Sequence, residues 1–288
     1  MNGVKQGGIV SPILFCVYID GLLLRLRDSK IGCWIGNVYV GALAYADDVT
    51  LLAPTPRAMR LQLGICEAYA HEFRVVFNAA KSAVLCCCNR RKTCLYDGLQ
   101  FSIDGKCIAT VDEYPHLGHI VSSNLDDKSD ILSKRDALCG KINNVICYFS
   151  KCDPFVKLKL LRYYCSDLYG SVLWDLSHNA IESICIGWRN GRLMAPVCGF
   201  PPVRDELVCQ SASFIAKCLQ SENSIVHSVS RNGVFCRRML SPIGMNAHFV
   251  CDFYDVSVRD ISVISKSLAW SVHNDKVIGP ELDKIDTI

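Results

Sequence analysis

The chain has 288 residues, of which half are hydrophobic and a fifth are charged. This composition excludes a disordered or fibrous protein and allows one large domain or two ordinary ones. The net charge of +3 is too small to identify a partner, but residues 1–95 carry 11 Lys or Arg and only 6 Asp or Glu. A basic first third is compatible with binding to a nucleic-acid backbone.

Membrane-spanning and secreted proteins are also excluded on sequence grounds. No apolar run reaches the roughly 18 residues of a membrane span, and residues 1–8 lack the regions of a signal peptide. We therefore expect an intracellular protein, nuclear or cytoplasmic, with no membrane partner. The 18 cysteines are interpreted as reduced, small core residues. Zinc is not predicted, because no Cys-x-x-Cys pair is present and His116 and His119 have no cysteine at zinc-ligand spacing.

The first predicted element is a helix from Ser11 to about Arg27. Ser11 is expected to cap the free N–H groups, and Pro12 at the first helical position loses nothing by lacking its own N–H. The helix is apolar nearly all round, which predicts burial against other elements. Asp20 interrupts this run and is interpreted as a surface residue of the helix.

The following segment mixes short strands with one more helix. Hairpins are predicted at residues 36–37 (Gly-Asn) and 104–105 (Asp-Gly), where a turn dipeptide separates two apolar runs. A helix capped by Thr and followed by Pro is predicted over residues 55–73. Strands are predicted at residues 75–77 and 83–85.

Beyond about residue 124 the pattern becomes mostly helical, with apolar residues recurring at three-to-four spacing. The predicted fold class is therefore α+β. We divide the chain into residues 1–125, of mixed α and β structure, and residues 126–288, which are mostly helical.

The tetrapeptide Tyr45-Ala46-Asp47-Asp48 lies at the joint of a further predicted hairpin, between two short apolar runs. Adjacent carboxylates beside so much apolar sequence must reach water, be paired or bind a cation. Their oxygens suit Mg²⁺. Asp is also common in turns because it tolerates turn geometry, so the tetrapeptide alone leaves both interpretations open.

Four segments then resemble one family in their order and spacing. They are residues 3–15 (GVKQGGIVSPILF), 45–48 (YADD), 77–82 (FNAAKS) and 113–118 (EYPHLG). The set resembles the motifs of reverse transcriptases, and the first segment is most similar to the version in non-LTR retrotransposons. The last segment departs from the family's Tyr-Leu-Gly by two inserted residues, or by a His in place of the Tyr.

The resemblance implies a fold and a chemistry. Residues 1–125 would be part of a polymerase palm, an antiparallel sheet backed by helices, and residues 126–288 a thumb-like region. The activity would be RNA-directed DNA synthesis on an RNA template and DNA primer with dNTP as substrate. Asp47 would be a direct ligand of Mg²⁺, with Mn²⁺ as the alternative ion, and Asp48 a weaker ligand or a source of negative field.

The resemblance also implies contacts with template, primer or nucleotide for Gln6, Gly7, Ser11, Tyr45, Lys81, Leu117 and Gly118. For five of these positions, an interpretation without any functional contact is also open. Ser11 would be only a helix cap, Lys81 a solvated residue at a strand end, and Tyr45 a buried strand aromatic. Leu117 and Gly118 would form an ordinary turn.

One departure from the family concerns its first catalytic Asp, which lies on a strand upstream of the Gln-Gly segment. This sequence begins just before that segment, and Asp20 is not a convincing replacement. We therefore expect an N-terminally truncated enzyme without fingers, inactive as a polymerase by itself. The alternative is a non-catalytic nucleic-acid-binding fragment or a retroelement relic. Another palm-fold polymerase or cyclase would fit the Asp pair but not the Gln-Gly segment.

Overall fold

The chain forms two compact units of helices and small sheets, which confirms the predicted α+β class. A computed structural model describes residues 9–87, 98–165, 168–184, 203–235 and 241–263. Within this part of the chain, the first unit comprises residues up to 114 together with 123–125. The second comprises residues 115–122 and those from 126 onward.

The first unit is built from two helices and a set of short strands. They are α1 (Ser11–Asp28), β1 (Trp34–Ile35), β2 (Val38–Tyr39), β3 (Ala42–Tyr45), β4 (Asp48–Leu51), α2 (Pro56–Phe73), β5 (Ala83–Leu85), β6 (Phe101–Ile103) and β7 (Lys106–Val111). Strands β1 and β2 form one antiparallel hairpin, and β3 and β4 form another. The third sheet is mixed, because β7 pairs antiparallel with β6 and parallel with β5.

The second unit is mostly helical in its described part. Its helices are α3 (Lys128–Tyr148), α4 (Pro154–Cys165), α5 (Val203–Leu219), α6 (Ser224–Phe235) and α7 (Pro242–Tyr254), with short 3₁₀ turns at Ser171–Leu173 and Ile261–Val263. Before them, β8 (Glu113–His116), whose first two residues belong to the first unit, pairs with β9 (His119–Ser122). Among the residues described in the two units, no helix combines the length and the apolar character needed to cross a membrane.

The ends of several of these elements are determined by the conformational preferences of a few local residues. Both predicted hairpins are present, and Gly36, Asp104 and Gly105 have the positive φ angles (59°, 50° and 69°) that tight two-residue turns require. The predicted start of α2 is confirmed, since the Thr55 hydroxyl accepts a hydrogen bond from the Ala58 N–H at 3.2 Å.

Two sequence predictions about local structure are wrong. Helix α1 begins with Val10 as its cap, with no side-chain cap hydrogen bond, so Ser11 is its first helical residue. Because the first four N–H groups of any helix are free, the proline tolerates the second helical position as well as the first. Residues 75–77 form no strand, because Arg74 adopts φ 54° and the Val75 N–H bonds back to the Ala70 carbonyl to close α2.

The core of the first unit lies between α1, α2 and the strands. Leu22 and Leu26 of α1 are fully buried against this core. The N-terminal half of α1 is different, since Ile13 is 65% and Val17 70% exposed. The predicted burial all round is therefore wrong for this half of the helix, while Asp20 is exposed as predicted.

The cysteines divide into buried and exposed groups. Cys66, Cys165, Cys209 and Cys251 are buried core residues, as predicted, and burial raises the pKa of the Cys66 thiol to about 12. Several others are exposed, among them Cys16, Cys87, Cys107 and Cys147, so the core interpretation fails for them. In the described parts of both units, no group of three His, Cys, Asp or Glu residues has the arrangement of a metal site.

Candidate functional site

The Asp pair lies at the tip of the hairpin formed by β3 and β4. Tyr45 pairs with Asp48, which leaves Ala46 and Asp47 as the two turn residues. Both carboxylates are exposed, and Tyr45 is 66% exposed rather than buried. The hairpin therefore presents two adjacent carboxylates and an aromatic ring to the solvent.

The base of this hairpin is anchored in the first unit. Ala42 is buried, and Val49 and Leu51 pack against the core that α1 and α2 share. The backbone continues the pairing below the strands, since the Leu52 N–H donates to the Gly41 carbonyl at 2.8 Å. The Cys33 N–H donates in turn to the Leu52 carbonyl at 3.1 Å. The core fixes the base of the hairpin while its tip reaches the solvent, and a fixed base keeps the two carboxylates in defined positions.

Gln62 of α2 is the buried polar residue that supports this base. Its side chain has no solvent exposure, and its Nε2 donates to the Gly41 carbonyl at 2.9 Å and the Tyr39 hydroxyl at 3.1 Å. A longer contact reaches the Ile31 carbonyl at 3.4 Å. Because carbonyl oxygens only accept, the amide nitrogen must face this side. Gln62 thereby ties α2 to the chain that enters β3.

Space around this amide is tight. Gly32 has φ 119°, and a Cβ added there would lie 2.6 Å from the Gln62 Nε2. Only glycine satisfies both the backbone angle and this close approach. Sequence reasoning did not single out Gln62 or Gly32, although Gln62 falls on the same helix face as the apolar positions of α2.

Strain is present in the turn that carries the Asp pair, because Ala46 has φ 51°. A left-handed angle costs an L-residue roughly 1–2 kcal/mol, and β-branched residues tolerate it least. We expect Ala46→Val to lower the free energy of unfolding by about 1–2 kcal/mol. Ala46→Gly is expected to leave it unchanged or raise it slightly. Chemical denaturation measures both.

The matched control for this prediction is Ala44→Val, two residues earlier on β3. Ala44 is an exposed strand residue, where a β-branched side chain is favourable, so no loss is expected. Equal losses in the free energy of unfolding at both positions would mean that the hairpin as a whole does not tolerate Val, and that the φ angle of Ala46 is not the cause.

The donor set of the pair fits part of a hard-cation site. Carboxylate oxygens are the ligands that Mg²⁺ and Mn²⁺ prefer. In the described residues, no third His, Cys, Asp or Glu joins Asp47 and Asp48 in such a group. The pair by itself therefore leaves most coordination positions of a divalent ion to water or to ligand oxygens.

Lys81 is presented by a compact turn of the first unit. The Asn78 Oδ1 accepts hydrogen bonds from the Ala80 and Lys81 N–H groups at 3.1 and 3.3 Å. The Ser82 hydroxyl donates to the Asn78 carbonyl at 3.0 Å, and the Tyr114 hydroxyl donates to the Lys81 carbonyl at 2.8 Å. The Asn and Ser of the motif thus shape the turn, while the Lys81 side chain stays exposed.

Leu117 and Gly118, in the second unit, are the two turn residues between β8 and β9. Their φ angles are 49° and 76°, and Leu117 is 41% exposed. Lys134 of α3 fixes this turn, since its Nζ donates to the Gly118 carbonyl at 3.1 Å. An exposed Leu held in a left-handed conformation is an uncommon feature that such anchoring has to maintain.

The anchor depends on Asp130, whose side chain is 2% exposed. Its two oxygens accept hydrogen bonds from the Lys134 Nζ at 2.8 and 2.6 Å and from the Trp174 Nε1 at 2.6 Å. The Ile120 N–H donates at 2.9 Å, and the His119 Nδ1 lies 2.9 Å away without hydrogen-bond alignment. Burial favours the neutral acid, but these donors outweigh it and hold the pKa of Asp130 below its ordinary value.

The predicted site residues are thus placed as follows. Asp47, Asp48 and Tyr45 share one hairpin, and α1, which begins at Ser11, packs against β3. Lys81 lies in the same unit, on its own turn. Leu117 and Gly118 belong to the second unit. Gln6 and Gly7 lie outside the described residues.

Comparison with known proteins places the segment that carries these motifs. Residues 1–121 match the family described as reverse transcriptase (RNA-dependent DNA polymerase). A Pol polyprotein of the type-2 retrotransposable element R2DM from Drosophila melanogaster is 45% identical over 62 residues, 22% of this chain. Pol polyproteins of type-1 R2 elements from Nasonia vitripennis and Popillia japonica are 40% and 30% identical over 71 and 127 residues, 25% and 42% of this chain.

The chain covers only a small part of these relatives, since the matches span 6%, 7% and 21% of their lengths. The family match covers residues 1–121. The hairpin with its exposed Asp pair and the Asn78 turn both lie inside that segment. Residues 1–121 therefore match the reverse transcriptase family, and the relatives to which the chain is similar are Pol polyproteins of R2 retrotransposable elements.

Proposed function

We propose that this chain takes part in RNA-directed DNA synthesis and that Asp47 and Asp48 bind its divalent ions. The observation that carries the proposal is the β3–β4 hairpin, which presents two adjacent, exposed carboxylates on an anchored base. Turn geometry accounts for an Asp in the turn itself, but Asp48 lies on β4, where Asp is disfavoured. The family match covers this hairpin.

The residues around the pair have complementary tasks. Asp47 and Asp48 would hold Mg²⁺ or Mn²⁺, which would supply Lewis acidity for the primer 3′-hydroxyl and positive charge for the triphosphate. Asp47, at the turn, is the direct ligand, and Asp48 adds a weaker ligand or negative field. Tyr45 offers an exposed ring to the primer end, and Lys81 offers a cation to the dNTP triphosphate.

The remaining contacts concern the nucleic acid. Gln6, Gly7 and Ser11 are proposed to lie under the template base and the nucleotide. Leu117 and Gly118 are proposed to contact the DNA primer through their hairpin turn, which Lys134 holds in place.

Primer extension on an RNA template, at millimolar Mg²⁺ or Mn²⁺, tests the proposal. Synthesis that requires the ion, is lost in Asp47→Asn and is retained in Asp20→Asn would support it. Asp20 is the matched control because it is an exposed carboxylate on α1. Synthesis that survives Asp47→Asn would contradict the role given to the pair.

The second candidate is a nucleic-acid-binding protein without catalysis. It is favoured by the donor set, since two carboxylates without a third nearby ligand in the described residues bind a free ion weakly. If this second candidate is correct, the 288 residues alone will show little or no extension. Retained, salt-dependent binding of primer–template without extension would favour this second candidate.

A further inference from the structure

Helix α4 in the second unit has an exposed face of unusual composition. Phe155 is 74% and Tyr163 79% exposed, and Lys159, between them, is also exposed. These three residues are spaced four apart, so they form one ladder along the helix. Large aromatic side chains that are grouped on one exposed face, rather than scattered singly, are a feature of interaction sites.

The opposite face of α4 packs against the rest of the second unit. Leu161 packs against the core of the second unit, and Cys165 is buried in it. Helix α4 also packs against α3. The exposed residues therefore lie on the outer face of a helix whose inner face already packs against the second unit.

The charge of the segment identifies the kind of partner. Residues 154–165 contain Lys157, Lys159 and Arg162 and no Asp or Glu. Lys157 is engaged locally, since its Nζ donates to the Ser150 carbonyl at 2.6 Å. An all-basic helix with exposed aromatic rings on either side of a lysine complements a polyanion that also carries flat rings.

We propose that the face formed by Phe155, Lys159 and Tyr163 binds unpaired single-stranded nucleic acid. The two rings would stack on bases, and Lys159 would neutralise a phosphate between them. Paired bases do not expose their faces, so a duplex would use only the charge. Eight residues of helix separate the rings by about 12 Å, a span that a short run of nucleotides can follow. The proposal does not depend on catalysis at Asp47 and Asp48.

Fluorescence anisotropy with a labelled oligothymidylate, in EDTA and without dNTP, tests this face on the whole chain. We expect Phe155→Ala and Tyr163→Ala each to weaken binding about tenfold and Tyr163→Trp to retain it. Lys159→Gln is expected to reduce the salt slope by about 0.7. A blunt duplex should compete less well than the single strand.

Phe235→Ala on α6 is the matched control, because Phe235 is a 49% exposed aromatic on a different helix. Circular dichroism of every variant checks that the fold is kept. The proposal is overturned if the chain does not bind the single strand, or if Phe155→Ala and Tyr163→Ala bind as well as the unmodified protein. It is also overturned if these variants change only self-association in sedimentation, since the face would then contact a second copy.

Discussion

Asp130→Asn is expected to lower the free energy of unfolding of the second unit by about 3 kcal/mol. Asp130 is buried, and it accepts hydrogen bonds from Lys134, Trp174 and the Ile120 N–H. The change removes the counter-charge of Lys134, whose side chain is only 15% exposed, and removing one partner of a buried pair costs about 3–5 kcal/mol. Urea denaturation followed by Trp fluorescence measures the loss.

The pH dependence of this effect has a definite sign. The pKa of Asp130 lies below its unfolded value, so its contribution is complete above the unfolded pKa and is lost as the pH falls through the folded pKa. The difference in the free energy of unfolding between the unmodified protein and Asp130→Asn should be constant near neutral pH and should become smaller below about pH 4. Asp136→Asn, at a 68% exposed position of the same helix, should cost less than about 0.5 kcal/mol. Equal losses at both positions would show that burial of the network is not the cause.

Gln62→Glu is the second substitution with a large expected effect. A carboxylate at this fully buried position would face the Gly41 carbonyl and could no longer donate to it. We expect a loss of about 4 kcal/mol at neutral pH, because a buried charge without a partner is among the costliest changes in a core. Thermal and urea unfolding at several pH values measure it.

Three comparisons make this prediction specific. The buried Glu should have a raised pKa, so the loss should shrink as the pH falls and the acid becomes neutral. Gln62→Leu keeps the volume without the charge and should cost less, about 1–2 kcal/mol. Leu61→Glu places the same charge at the neighbouring, 48% exposed position and should be nearly neutral. A Gln62→Glu protein as stable as Leu61→Glu would contradict the burial of this amide.

Features set by neighbouring residues were predictable from the sequence. The turns at residues 36–37 and 104–105, the Thr55 cap and the hairpin of the Asp pair each depend on a few adjacent residues with fixed conformational preferences. The start of α1 differs from the predicted one by one residue, because proline is tolerated at more than one position of the first turn. The segment after α2 has the apolar residues of a strand, but the Val75 N–H donates to the Ala70 carbonyl and closes the helix instead.

Features set by distant residues were not predictable. Asp130 lies 44 residues before Trp174, and in the sequence it is simply an acid in the first turn of a helix. Gln62 reaches carbonyl groups more than twenty residues earlier in the chain. No local pattern distinguishes such residues from surface ones. The buried residues that support the candidate site are therefore seen only in the tertiary structure, whereas its exposed candidate residues are predicted from their motifs.

The central claim is that the β3–β4 hairpin holds divalent ions through Asp47 and Asp48. Paramagnetic broadening by Mn²⁺ tests it most directly, because amide signals near a bound ion disappear even when binding is weak. We predict that Mn²⁺ selectively removes the signals of residues 45–49. These signals should remain visible in the double variant Asp47→Asn, Asp48→Asn. In Asp20→Asn they should be lost as in the unmodified protein. Broadening that is spread evenly over the acidic surface, or that persists in the double variant, would contradict the claim.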